Sequence, residues 1–344
     1  MELALYAPGL GYYSAGAKKI GKDGDFITAP EISPLYGQSI AQCAAEVIAQ
    51  TGGDILEFGA GSGKLAFDLL IELQQLNRLP KNYFILEVSA DLCERQKIFL
   101  SALSKDVFSR IQWIDKLFNK FNGLIIGNEV LDAMPTHLVV WKEAGIHERG
   151  VALENEKLVF HDRPLDKNSV LFAAANKLDL PDAYVSEINL SASGFITSLG
   201  NMLHHGVMLL VDYGFSAAEF YHPQRSMGTL MCHYRHHAHG DPFYLPGLQD
   251  ITSHVDFSAI AQAGEQAGLD IIGYTSQAQF LLGCGITDLI ARYDASDAKN
   301  YLPVVNAVQR LISPAEMGEL FKVIALGKNY THTLSGFNAR SLRL

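Results

Sequence analysis

Cysteine is scarce in this chain. Four residues, at 43, 93, 232 and 284, form no C-x-x-C pair. That excludes a disulfide framework and a thiolate zinc module, and it suits a reducing compartment. Long apolar runs are missing as well: no stretch approaches the roughly 18 residues that a membrane span requires, and the start lacks the basic-then-apolar plan of a secretory signal. Basic residues are outnumbered, 27 Lys and Arg against 37 Asp and Glu, for a net charge of −10. A sequence-independent nucleic-acid surface needs clustered Lys and Arg, so none is expected; an acidic balance suits a basic substrate. With 344 residues, 48% of them hydrophobic, and no solenoid repeat, the chain can build one large domain with a subdomain, or two modest ones. A cytoplasmic location is expected.

What is present centres on Asp54-Ile-Leu-Glu-Phe-Gly-Ala-Gly-Ser-Gly-Lys-Leu65, a short apolar run ending in an acid and three glycines at alternate positions. Glycines 59, 61 and 63 admit backbone dihedrals closed to other residues and leave no Cβ in the way of a ligand. Leu65, Leu69, Leu70 and Leu73 recur at helical spacing, so the turn opens a helix. A phosphate loop fails here, because Leu65 follows Gly63-Lys64 and Phe58 stands where its first glycine belongs. A dinucleotide turn is weakened by Lys64 in place of its third glycine. Glu-x-Gly-x-Gly-x-Gly remains, the pattern of class I S-adenosylmethionine (SAM) methyltransferases, with an acid to meet the cofactor's ammonium. A second acid should end the next strand and take the ribose hydroxyls; Asn82-Tyr-Phe-Ile-Leu-Glu87 supplies it. Acids inside such apolar runs are costly unless paired or solvated, which leaves open that both merely mark exposed strand ends.

Strands are expected at 54–58, 83–88, 111–114 and 123–127, with helices at 64–77 and 91–102, which implies a parallel doubly wound sheet. Before them, residues 1–50 read as an ordered loop and a helix (33–50) over the cofactor site. The first part of the cofactor domain runs over 51–136. From 137 to 182 short alternating runs predict an inserted antiparallel substrate region. Residues 183–344 should complete the sheet at 183–188, 206–213 and 322–326, with a helix at 191–203, another at 257–268 and a helical insertion at 287–311. The 214–256 stretch, dense in His, Tyr, Pro and Gly, has no clear periodicity and should cover a site.

Chemistry is expected where Gly123-Leu-Ile-Ile-Gly-Asn128-Glu129-Val-Leu-Asp132 leaves a buried strand, at the sheet edge where ligands bind. Methyl transfer from a sulfonium needs alignment and removal of a proton rather than an acid for the leaving group. Paired carboxylates at Glu129 and Asp132 can hold a guanidinium bidentately and assist proton loss; as alternatives, Asp132 caps a helix and Glu129 is solvated. Asp212, in Val211-Asp-Tyr213-Gly214, either faces substrate or serves a turn. Eight of the twelve histidines lie between 204 and 254, yet His233-Tyr-Arg-His-His-Ala-His239 matches no zinc spacing, so no metal is expected. His254 and Asp256 are either caps or site residues.

Collected, Gly24-Asp-Phe-Ile-Thr-Ala-Pro-Glu-Ile-Ser33, Glu57 to Gly63, Glu87-Val-Ser89, Asn128 to Pro135, Asp212-Tyr-Gly214 and Gly228-Thr-Leu through His254-Val-Asp-Phe257 resemble the MidA-type methyltransferases over nearly the whole chain. That family includes the mitochondrial complex I assembly factor. Its most specific segments here are Gly24 to Glu31 and Asp241-Pro-x-x-x-Pro-Gly-x-x-Asp250. The resemblance implies an α/β, class I SAM-dependent methyltransferase fold, Rossmann-like, with an N-terminal extension and an inserted β-hairpin and helical substrate region. It implies protein-arginine N-methylation of a protein partner, of the respiratory complex I subunit type. A binding role, an assembly chaperone that holds SAM only as a structural ligand, is the alternative. The expected cofactor contacts are Thr28, Glu57, Gly59, Gly61, Gly63, Glu87 and Asn128. Glu129 and Asp132 are the expected catalytic pair, and Asp25, Glu31, Asp212, Tyr213 and His254 the expected substrate contacts. An oligomer is compatible with all of this. The family pattern carries more residues ahead of Leu5-Tyr-x-Pro-x-x-Gly-Tyr-Tyr13, and the lack of an Arg-rich transit start points to a bacterial-type member.

Overall fold

The computed structural model describes residues 1–14, 27–337 and 342–344. The α/β alternation produces β1 (Asp54–Phe58), β2 (Tyr83–Leu86), β3 (Ile111–Ile114) and β4 (Phe121–Asn128), with helices Lys64–Gln75 and Ala90–Leu100 between them. Next come β5 (His137–Lys142), β6 (Gly145–Glu154), β7 (Lys157–Pro164) and β8 (Val185–Ile188), then the helix Leu190–Met202 and the long β9 (Leu203–Phe215). Short strands β10 (Met231–Tyr234), β11 (His237–His239), β12 (Asp250–Thr252) and β13 (Val255–Asp256) lead to the helix Phe257–Gln266. The described strands end with β14 (Asp270–Ser276) and β15 (Phe321–Lys328).

The main sheet has the order β14-β15-β9-β4-β1-β2-β3, with β13 added beside β9. β1 pairs in parallel with both β2 and β4, and β4 with β9; β15 runs antiparallel between β9 and β14. Chain order therefore reverses at the seam between β1 and β4, where the C-terminal ends of adjacent parallel strands open a crevice. Both faces are covered. The helices Pro34–Thr51 and Lys64–Gln75 bury one face around Ile40, Val47, Leu69 and Leu73. Leu190–Met202 and Phe257–Gln266 bury the other around Ile196, Leu199, Phe257 and Ile260. The Pro34–Thr51 helix starts on the Ser33 hydroxyl, which accepts from the Leu35 amide, and stops at Gly52 in the left-handed region. It lies so close to its neighbour that a Cβ on Gly37 would stand 2.9 Å from that of Asp68. This helix belongs to the core. Nearer the crevice, among the N-terminal residues described, stand Tyr6, Tyr13, Thr28 and Pro30.

Two expectations change. The strand at 183–188 does not resume the main sheet: β8 pairs antiparallel with β5 and completes a four-stranded sheet, β7-β6-β5-β8. A short strand buried at each of its positions, as β8 is, suits a central parallel sheet equally well, so the residues alone could not say which sheet receives it. The 214–256 stretch is not aperiodic throughout, because β11-β10-β12 form a small sheet within it. β14 was not foreseen; a register shift between Ile271 and Gly273 breaks its alternation.

Candidate active site

At the crevice, Glu57, 2% exposed, stands one residue before the end of β1, and Gly59 and Gly61 follow with φ of 61° and 55°. Both glycines line a cavity of about 800 Å³ that Glu57 and Glu87 also face. Gly63 does not line it. With φ 84° it begins the Lys64–Gln75 helix and packs on Leu100, so its glycine serves the backbone rather than a ligand. The Tyr83 hydroxyl donates to Glu57 at 2.7 Å, and burial still pushes that carboxyl up to about 7. Glu87 accepts from the Ser89 amide at 2.9 Å and from Gln96 Nε2 at 3.0 Å. The same Gln96 nitrogen donates to the Gly61 carbonyl at 3.0 Å, and its Oε1 accepts from Trp113. Gln96 thus fixes the second acid against the glycine turn. Sequence reasoning passed it over as one polar position in a weakly amphipathic helix.

Across the seam, β4 delivers Asn128 and Glu129. Tyr36 donates to Asn128 Oδ1, and Asn128 Nδ2 donates to Glu129 Oε1 at 3.0 Å. Glu129 has φ 52°, uncommon for a non-glycine residue, and its amide is held by the Val211 carbonyl at 2.8 Å. Desolvation in the crevice and the nearby Asp132 charge push its carboxyl up to about 8, while the Ala29 amide and Asn128 partly oppose this. Asp132 is 6% exposed and accepts from the Tyr213 hydroxyl at 2.6 Å; burial raises it to about 6. Asn128, Glu129, Asp132 and Tyr213 all line the cavity.

Three other expected contacts are placed elsewhere or lie outside the described residues. Asp212 is completely buried and does not line the cavity; its Oδ2 accepts from the amides of Leu131 at 2.9 Å and Asp132 at 3.2 Å, and its Oδ1 from that of Tyr213. It braces the loop that carries the carboxylates. Glu31 is also off the cavity wall and accepts from the Ser62 hydroxyl, steadying the glycine turn. Asp25 lies outside the described residues. Thr28 and His254 do line the cavity. The His254 ring stacks on Phe215 at 5.3 Å, and burial with the nearby Arg225 lowers it to about 4, so it is neutral at physiological pH. Asp256 caps the following helix through the Ser258 and Ala259 amides. Sequence reasoning also missed Tyr6, Tyr13 and Asp250, which line the cavity.

The donor set suits a sulfonium nucleoside. Two acids face the cavity beside an open glycine cradle, with the apolar Val88, Leu92 and Leu117 close by. Among the described residues, Lys64 is the one Lys or Arg that lines the cavity, and Asp68 engages it, so they build no phosphate cradle. No helix among the described residues is long and apolar enough to cross a membrane.

Fold and site together define a SAM-dependent methyltransferase. Residues 37–275 match the family described as "Putative S-adenosyl-L-methionine-dependent methyltransferase", and the chain belongs to that family. A Burkholderia thailandensis protein crystallised with S-adenosyl-homocysteine is 48% identical and superposes with a TM-score of 0.95 over 99% of this chain and 89% of its own. Curated relatives include the "Protein arginine methyltransferase NDUFAF7, mitochondrial" of Danio rerio, 27% identical over 95% of this chain and 82% of that protein. The human protein of the same name is 27% identical over 95% of this chain and 78% of its own.

Proposed function

We propose that this methyltransferase is a protein-arginine N-methyltransferase, with Glu57 and Glu87 engaging the ammonium and ribose of SAM, and Glu129 and Asp132 holding the acceptor guanidinium. The observation that carries the reading is the convergence of four carboxylates, from the ends of β1, β2 and β4, on one cavity. Bound SAM supplies a methyl group already activated on sulfonium. The protein's share is to align the acceptor and accept a proton. A free guanidinium holds its proton to a pKa of roughly 12.5–13.8. Glu129, held above the ordinary carboxylate range, has the greater proton affinity of the pair and is the assigned proton acceptor; Asp132, oriented by Tyr213, holds the second guanidinium nitrogen. The names of the curated relatives support arginine in a protein as the acceptor; a carrier of the respiratory-complex type is what the family resemblance implies. The test is Glu129→Gln. Turnover should collapse while SAM affinity stays near wild type, and an unchanged rate removes Glu129 from the mechanism.

A further inference from the structure

The N-terminal tyrosines sit far from the seam in sequence and directly at the cavity in space. Tyr6 and Tyr13 stack with centroids 5.5 Å apart and planes 19° apart, and Tyr12 packs edge-on against Tyr13 at 5.1 Å. Each ring is tied by its hydroxyl to the loops around the site: Tyr6 donates to the Ala133 carbonyl at 2.9 Å, and Tyr13 to Asp250 Oδ1 at 3.1 Å. Asp250 is 3% exposed and, like Asp132, lines the cavity. Asp132 itself keeps one carboxylate oxygen, Oδ1, without a hydrogen-bond partner among the described residues. Two aromatic rings with negative faces and two buried carboxylates therefore line one cavity, where the Asp132, Asp250 and Glu87 charges all act on the Tyr6 phenol. Such a combination recognises a cation through its charge and through the ring faces together.

We propose that Tyr6, Tyr13 and Asp250 form an acceptor subsite that receives the positively charged side chain to be methylated and excludes neutral ones. The proposal rests on the acceptor reading above and adds the residues that select charge. The tyrosine hydroxyls serve as ties, since burial and the Asp132 and Asp250 charges keep both phenols protonated well past physiological pH.

The test uses the full-length protein saturated with S-adenosyl-homocysteine, titrated by NMR with n-propylguanidinium, n-butylammonium and the neutral isostere n-propylurea. Wild type should bind the guanidinium roughly tenfold more tightly than the urea. Asp250→Asn and Tyr6→Leu should abolish that preference, whereas Tyr13→Phe, which keeps the ring, should retain most of it. S-adenosyl-homocysteine affinity, measured by calorimetry, should stay unchanged in every variant and so reports that the fold is intact. A wild type without charge preference, or variants that weaken charged and neutral probes equally, overturns the subsite. Preference for butylammonium over the guanidinium leaves the subsite standing and removes arginine as the acceptor.

Discussion

Asp212 Oδ2 accepts the backbone amide of Asp132 at 3.2 Å, so a carboxylate within β9 fixes one that follows β4. The same oxygen holds the Leu131 amide, and the Val211 carbonyl holds the Glu129 amide. The end of β9 is in this way the mould for the 129–132 turn, including the left-handed Glu129.

Asp212→Asn should therefore damage catalysis without touching the cofactor. One acceptor oxygen becomes an NH2 group facing an amide donor, and each buried polar group left unpaired costs about 1–3 kcal/mol. We expect kcat to fall roughly 100-fold from misplacement of Glu129 and Asp132, with a lower Tm and SAM affinity little changed. Steady-state kinetics alongside calorimetry will read this. Equal losses in kcat and SAM affinity contradict it.

Cofactor binding should carry a proton signature. Burial holds Glu57 at about 7 in the unliganded protein, and a neighbouring ammonium favours the ionised carboxylate. Affinity should therefore rise with pH, by up to roughly tenfold per unit below 7, and level off above it. Glu57→Gln should bind weakly and with no such dependence. Calorimetry in buffers of different ionisation enthalpy should detect proton release near pH 6.5 in wild type only.

Glu129 links rate and stability to pH in opposite directions. In the proposed mechanism its ionised form is the proton acceptor, so kcat/KM should climb as pH rises toward about 8. Because its folded pKa lies above the ordinary 4.5, the native state holds the proton more tightly than the unfolded chain, and stability falls as pH rises across that window. Glu129→Gln should flatten both trends and lower the rate about 10²–10⁴-fold. A variant melting curve that still declines between pH 5 and 8 as steeply as wild type removes Glu129 as the cause.

Gly61 has φ 55° at the cavity wall. Gly61→Val places a β-branched side chain in the left-handed region, costing about 1–2 kcal/mol, and directs methyl groups at the cradle. S-adenosyl-homocysteine binding should be lost while near-UV circular dichroism stays native. Retained affinity would mean that the ligand does not lie against this turn.

Much of this site was legible because β1, β2 and β4 are continuous apolar runs, in which an acid at the end stands out. Glu57, Glu87 and Glu129 could be found on that ground alone. Asp212 satisfied the same criterion yet turned inward: strand-end position cannot say whether a carboxylate meets a ligand or three amides. Gly63 and Glu31 likewise sit in the right motif and serve the backbone of the turn. Tyr6 and Tyr13 were invisible as site residues, since nothing local in Leu5 to Tyr13 indicates that Tyr13 will reach Asp250, 237 positions away. The placement of β8 failed for a related reason, because burial pattern reports how deeply a strand lies and not what it pairs with.

The proposed reaction transfers the SAM methyl group to a guanidinium at the β1–β4 seam. Purified protein incubated with SAM carrying an isotopic methyl and a protein extract, followed by tandem mass spectrometry of labelled peptides, tests it directly. We expect label on arginine side-chain nitrogen in wild type and none with Glu129→Gln. Label confined to lysine, carboxylate or small molecules, or equal labelling by the variant, contradicts it.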